Sequence, residues 1–354
     1  MPAPTVLGLP RFLAYPLARL LTTLDASAIV GRLLGSIWGV LLFSGVLNPR
    51  YLARLAAAET RAASDYGPDV IFTDLDPAAF ITARTLGLPI ATIYNSSIVT
   101  GHGAWAWRRA NRILSRLLTG AGLPSLAPDE LFFGHDVLKL VPSTPELDGT
   151  DPTRPDVRYV GQLLGVIEPN TAGAFRPEPE QRYVFCYFGL GSTAPRALKR
   201  VLAEVFAHDE RLCIVSGYRM ESDGGQGRVR YCPYVDVRAL LPQCDWTICH
   251  GGLNTIIQSL QASVPLVIFP GANAERRQNA AQVEAQGAAW VGESKDWNAS
   301  WLRAHLAERE EPAAQAMRLS SSIQSLGGAP AAVNAIEDWL HREMWRRENG
   351  ASDV

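Results

Sequence analysis

The chain has 354 residues, 47% of them hydrophobic and 19% charged, with a formal net charge of −2. That length accommodates two domains with a core each, and the near-neutral charge excludes the overall positive field expected of a nucleic-acid binder. Five cysteines (Cys186, Cys213, Cys232, Cys244 and Cys249) form no C-x-x-C pair and mostly sit in apolar runs, which argues against a zinc site or a disulfide framework and suits a reducing cytoplasm.

The first feature along the chain is "LLGSIWGVLLFSGVLNP", residues 33–49, which carries no charge between Arg32 and Arg50. Its length is at the lower limit for spanning a bilayer, and it ends in Asn48-Pro49. A buried helix is the favoured reading, with peripheral membrane contact through 33–49 as the alternative. Residues 67–97 then read as one βαβ unit. Val70–Thr73 and Ile90–Tyr94 are its strands, Ala78–Thr85 its helix and Gly87 the stop, which predicts a parallel sheet. Two further apolar strands, "VLKLVP" and "VRYVGQLL", flank a Pro- and Asp-rich segment. The polar, Pro-, Gly- and Glu-rich stretch 165–181 reads as a linker. This divides the chain into an N-terminal domain over 1–164 and a C-terminal domain over 182–354.

After the linker the βα rhythm resumes. Tyr183–Phe188 is a strand ending in Gly-Leu-Gly-Ser, Leu198–Phe206 a helix, and Leu212–Ser216 a strand. A glycine-rich loop, a short strand at Val229–Tyr231 and the helix "VRALLPQ" follow. The strand Trp246–Cys249 then runs straight into His250-Gly251-Gly252, and Asn254-Thr255 opens a helix. A helix start behind a glycine turn offers free N–H groups and the positive end of the helix dipole, both suited to a phosphate. His250 adds a ring donor or a charge at the carboxyl end of a strand, where open α/β sheets bind ligands. In the structural alternative, Thr255-x-x-Gln258 is a capping box and Asn254 supports the turn.

The stretch "HGGLNTIIQSLQASVPLVIFPGANAERRQNAAQVEAQGAAWVG" resembles the donor-site signature of the UDP-glycosyltransferase-like family 1 glycosyltransferases, of the macrolide, antibiotic or lipid type. "VRYCPYVDVRALLPQCDW" resembles the family's base-binding segment, and "YVFCYFGLGS" its first C-domain strand and Gly-Ser loop. The resemblance covers about 60–343 and is densest from 183 to 292. It implies the GT-B fold, an α/β architecture of two Rossmann-like domains whose parallel sheets face each other across a cleft. The nucleotide diphosphate is then expected at His250, Gly251, Gly252, Asn254 and Thr255, with Gly191 and Ser192 adding a phosphate contact. Tyr234 and Val235 would bind the base, and Gln258 would stand where the family often has a ribose-binding Glu. Glu275 falls at the acidic position that holds sugar hydroxyls, and Arg276 replaces the usual Gln there.

The resemblance further implies inverting, metal-independent transfer of a sugar from a UDP- or dTDP-sugar to a hydroxyl of a hydrophobic small molecule or lipid, with no cofactor. Asp74 aligns with the Asp that orients the family's catalytic His. The Gly-His-x-x-Pro loop that carries this His is missing, so the N-terminal domain reads as incomplete and the chain as starting late. His102, in "TGHGAWAW", is the candidate substitute base. Asp74-Leu75-Asp76 also matches the short D-x-D pattern of metal-dependent transferases, against the fold implied by the C-terminal half. The competing expectation is a catalytically impaired accessory subunit that binds nucleotide or a partner glycosyltransferase; a homodimer is the other association expected. The location expected is cytoplasmic or membrane-associated.

Overall fold

A computed structural model of the chain describes residues 36–99, 105–163, 175–188, 195–217 and 224–349. The described chain opens with α1 (Ile37–Phe43), capped by Ser36, whose hydroxyl accepts from the Gly39 N–H. Trp38 is fully buried and stands edge-on to Phe132 with ring centroids 5.2 Å apart, so one side of α1, with Trp38 and Leu41, is core, while Val40 faces outward. No helix among the described residues is long and apolar enough to cross a membrane. α2 (Pro49–Tyr66) starts on Asn48, which accepts from the N–H groups of Arg50 and Tyr51, and has Pro49 in its first turn, where no N–H partner is needed.

The first sheet follows as β1 (Ile71–Thr73), α3 (Pro77–Leu86), β2 (Ile90–Ile93), a 3-10 turn at Ser96–Val99, α4 (Trp105–Gly120), α5 (Pro128–Phe133), β3 (Val137–Val141), α6 (Pro145–Asp148) and β4 (Val157–Tyr159). Its four strands are parallel in the order β1-β2-β3-β4, with Ile71 opposite Ile90, Ile90 opposite Val137 and Lys139 opposite Val157. Side chains from α1 to α5 cover one face in a single apolar cluster. Lys139 is an exception inside this sheet. Fully buried, it is held by Asp156 at 2.6 Å and by the carbonyls of Gly134 and Val137; against the cost of burial, the Arg154 guanidinium and the Lys139 ammonium keep the Asp156 carboxyl down at about 2.

The second sheet is built from β5 (Tyr183–Phe188), α7 (Pro195–Val205), β6 (Leu212–Gly217), β7 (Gly224–Gln226), β8 (Val229–Tyr231), α8 (Val237–Leu240), β9 (Cys244–Cys249), α9 (Leu253–Gln261), β10 (Leu266–Ile268), α10 (Ala274–Ala285) and β11 (Ala289–Val291). The strand order is β11-β10-β9-β5-β6-β8-β7, parallel except for β7, which forms an antiparallel hairpin with β8. β8 lies where a short strand was expected, whereas β7 lies in the segment expected to be a glycine-rich loop; Gly224 and Gly225 give it no apolar signal. α11 (Ala299–Ala307) joins α7 on one face, while α12 (Glu310–Ser325) packs with α9 and α10 on the other. The last helix, α13 (Gly328–Asn349), crosses back to the first sheet, where Ala332, Ala335 and Trp339 cover Ala91, Leu138, Leu140 and Val160.

The order of the second sheet fixes where a ligand can sit. From β5 the chain proceeds outward to β6 and β8, then returns to β5's other side for β9, β10 and β11. β5 and β9 are therefore neighbours whose connections leave in opposite directions. The crevice outside their carboxyl ends is the switch point at which open α/β sheets bind ligands.

Candidate active site

His250 follows directly on β9 at that switch point, and Tyr187, near the end of β5, pairs with Cys249 just ahead of it. The ring of His250 is 7% exposed, lies 5.7 Å from the Tyr187 ring, and sets Nδ1 3.4 Å from the Tyr187 carbonyl oxygen. A carbonyl can only accept, so the proton of the neutral ring belongs on Nδ1 and Nε2 carries the lone pair. Burial, and then the nearby Arg276 cation, push the imidazolium down to about 4, so the ring is neutral near pH 7.

The turn after His250 is shaped by close packing. Gly251 has φ +85°, and a Cβ there would lie 3.0 Å from the Arg276 carbonyl oxygen and 3.1 Å from the Ile268 side chain. Only glycine fits both the left-handed backbone and the gap. Its carbonyl accepts from Nδ2 of Asn279, which is 4% exposed. Gly252 is the N-cap of α9 and offers no side-chain cap; a Cβ there would meet Nε2 of His250 at 3.1 Å. This corrects the capping-box alternative. The helix begins three residues before that box requires, which places Thr255 at the third helical position, Asn254 exposed beside it and Gln258 half-buried one turn further on. The N–H groups of the first turn of α9 keep no intrahelical acceptor.

α10 forms the adjoining wall. Asn273 caps it by accepting from the Arg276 N–H at 3.0 Å. Arg276 is half-buried, and desolvation lowers its guanidinium from its ordinary value, with Glu275 opposing. Desolvation raises the Glu275 carboxyl, and Arg276 pulls it back, although the residue keeps solvent exposure. Tyr234 leaves its ring 53% exposed, while Val235 is buried and forms a parallel bridge with Phe175. Gly191, Ser192 and His102 lie outside the described residues.

On the opposite side, Asp74 is exposed immediately after β1. Leu75 sits at φ +63°, a conformation a leucine rarely takes, and this tight reversal lets Asp76 cap α3 by accepting from the Ala78 N–H at 2.9 Å. The two acids of the D-x-D tripeptide thus have separate fates. No group of three or more His, Cys, Asp or Glu that could hold a metal ion occurs among the described residues.

The halves meet through residues that the sequence does not single out. On the side of the first half, Asp148 ties its own edge together, accepting from the Ser96 N–H at 2.8 Å, from the Thr150 N–H at 3.2 Å, from the Thr150 hydroxyl, and from the Tyr159 hydroxyl at 3.4 Å. Gln278 donates to the Ser96 hydroxyl at 3.1 Å, Gln282 to the Asp148 carbonyl at 3.0 Å and Gln286 to the Glu146 carbonyl at 3.3 Å. Ser96 follows β2, α6 follows β3 and α10 follows β10. The carboxyl edges of both sheets therefore face each other with His250 and Asp74 on opposite sides. The faint signal was the i, i+4, i+8 spacing of the glutamines.

Residues 197–332 match the glycosyltransferase family 28 C-terminal domain. The chain is 30% identical over 294 residues to the elloramycin glycosyltransferase ElmGT of Streptomyces olivaceus, covering 80% of this chain and 72% of that protein. Among solved structures, the glycotransferase of kitacinnamycin is similar with a TM-score of 0.68 at 21% identity, over 82% of this chain and 80% of the other. The spinosyn rhamnosyltransferase SpnG, complexed with thymidine diphosphate, is similar with a TM-score of 0.58 at 19% identity, over 82% and 81%. These structural likenesses concern the fold.

Proposed function

The chain belongs to the antibiotic-type, family 1-like glycosyltransferases of GT-B fold, the group of the elloramycin enzyme, and from that premise we propose that it is an inverting transferase using a UDP- or dTDP-sugar. The observation that carries this reading is the corner made by His250, Gly251 and Gly252, closed by Arg276 at the switch point of the second sheet. Its backbone turn brings an anion close to the first N–H groups of α9, with Arg276 and a protonatable His250 beside it. Tyr234 and Val235 take the base and Gln258 the ribose. Glu275 holds the sugar hydroxyls, and Gly191 and Ser192 the phosphates. SpnG was solved with thymidine diphosphate and, separately, with the spinosyn aglycone, which supports a nucleotide donor and a hydrophobic acceptor for this chain too.

In the reaction the acceptor oxygen forms a bond to the anomeric carbon as the bond to the diphosphate oxygen breaks on the opposite face. The electron pair departs with the nucleotide diphosphate, and the acceptor proton passes to a base, for which His102 oriented by Asp74 is the candidate pair. The helix dipole, His250 and Arg276 stabilise the charge growing on the leaving group, so the step requires no metal.

The test is calorimetric titration of the full chain with dTDP and UDP. His250→Ala should weaken diphosphate binding by about 1.5–3 kcal/mol, the range for a hydrogen bond to a charged group. Binding unchanged by that substitution would sink the donor-site assignment.

A further inference from the structure

α4 carries a feature that the donor site leaves unused. Arg108, Arg109, Arg112 and Arg116 are exposed along it, and it contains no acidic residue. At about 100° per residue these arginines and Trp105, which is 57% exposed, fall within an arc of roughly 100°. The opposite side, with Ala106, Ala110, Ile113, Leu114 and Leu118, is buried in the core of the first sheet. In a chain of net charge −2 this is a local positive stripe about 12 Å long, from Arg108 to Arg116.

We propose that the exposed face of α4 docks this enzyme on an anionic lipid surface, with the arginines against the headgroups and Trp105 at the interface. Charge complementarity selects an anionic partner. The choice of lipid over nucleic acid or an acidic protein rests on what flanks the stripe. A Trp at its end fits the headgroup level, where amphipathic aromatic rings concentrate. α1, which packs against α4, has no charged residue and leaves Val40 42% exposed. α4 keeps its apolar side in the protein core, so the contact is peripheral and made by headgroup attraction. It does not depend on the donor-site assignment.

The experiment is co-sedimentation of the full chain with vesicles of phosphatidylcholine alone and with about a third phosphatidylglycerol, at low and high salt. The wild type should bind the anionic vesicles at low salt, release at high salt, and leave the neutral vesicles unbound. Arg109→Gln/Arg112→Gln/Arg116→Gln should lower that partition by about a hundredfold, from a roughly fivefold loss per arginine. Trp105→Ser should weaken binding while leaving its salt dependence in place. All four positions are exposed, and unaltered circular dichroism and unaltered dTDP affinity would establish that the variants remain folded. No binding to anionic vesicles, equal binding to neutral ones, or an arginine variant that binds as the wild type does would overturn the proposal. So would low-salt capture of a duplex oligonucleotide in place of vesicles.

Discussion

At the scale of single residues, the imidazole of His250 has a pH-dependent role with a definite sign. Its folded-state value near 4 lies below the ordinary 6.5, so between these values the unfolded chain binds a proton that the folded chain does not. Stability therefore rises with pH across that window. The contribution is complete above about pH 6.5 and is lost as pH falls towards 4, by roughly 3 kcal/mol at most. Denaturant melts of the wild type should lose stability from pH 7 to pH 4 more steeply than those of His250→Asn; parallel curves would refute a buried neutral ring. The same geometry predicts proton uptake on binding. With Nδ1 turned to the Tyr187 carbonyl, Nε2 can donate to a diphosphate only once protonated, so titrations in buffers of different ionisation enthalpy should report net uptake near neutral pH. Gly251 gives a sharper steric test. Gly251→Ala would place a methyl 3.0 Å from the Arg276 carbonyl on a left-handed backbone, and should cost about 1–3 kcal/mol of stability and most of the nucleotide affinity. A fully stable, nucleotide-binding alanine variant would show that the turn relaxes.

Among the elements, α10 does two things at once: its first turn carries Glu275 and Arg276, and the glutamine row behind them holds the first half of the molecule. Gln278→Ala/Gln282→Ala removes two neutral hydrogen bonds to Ser96 and Asp148, and should cost about 2 kcal/mol in urea denaturation. Glu284→Ala, on the exposed side of the same helix, should cost almost nothing, and equal losses for the two would mean the row does not brace the cleft. How far such elements can be read in advance depends on the range of the forces that make them. β1, β2, β3, β5 and β9 are apolar runs bounded by turn residues, and the sequence marks them directly. The turn at His250-Gly251-Gly252 is marked as well, because glycine behind a strand and before a helix is a local signal. β7, the outer strand of the hairpin, has glycines where apolar residues would have marked a strand, while its partner β8 is marked by Val229 and Tyr231. The start of α9 was displaced because Thr255 and Gln258 match a cap pattern, while the actual N-cap, Gly252, offers no side-chain signal. Asp148 was read as part of a polar connection. Its function as a bracket depends on Ser96, Thr150 and Tyr159 coming together in three dimensions, which no spacing in the chain encodes.

Over the whole molecule, the path of α13 decides how the two sheets depend on each other. It begins where Gly328 donates to the Val160 carbonyl at 2.7 Å, and midway along it Trp339, 3% exposed, lies on the face of the first sheet that α1 to α5 leave uncovered. The first sheet is thus completed by residues that follow the second in sequence, and it cannot close its core until the chain has passed through the second sheet. Trp339→Ala removes the largest side chain of that contact and should destabilise the first sheet by about 3–5 kcal/mol. The corner at His250 lies in the other sheet, against Tyr187, Ile268 and Arg276, so the affinity for dTDP should stay within about twofold of the wild type. Calorimetric scans of the variant should then split into two transitions. Added dTDP should raise only the one belonging to the second sheet, because a ligand stabilises the unit whose folded form binds it. A single transition that dTDP shifts as a whole would mean that the glutamine row suffices to make both sheets one cooperative unit, with α13 only covering its face.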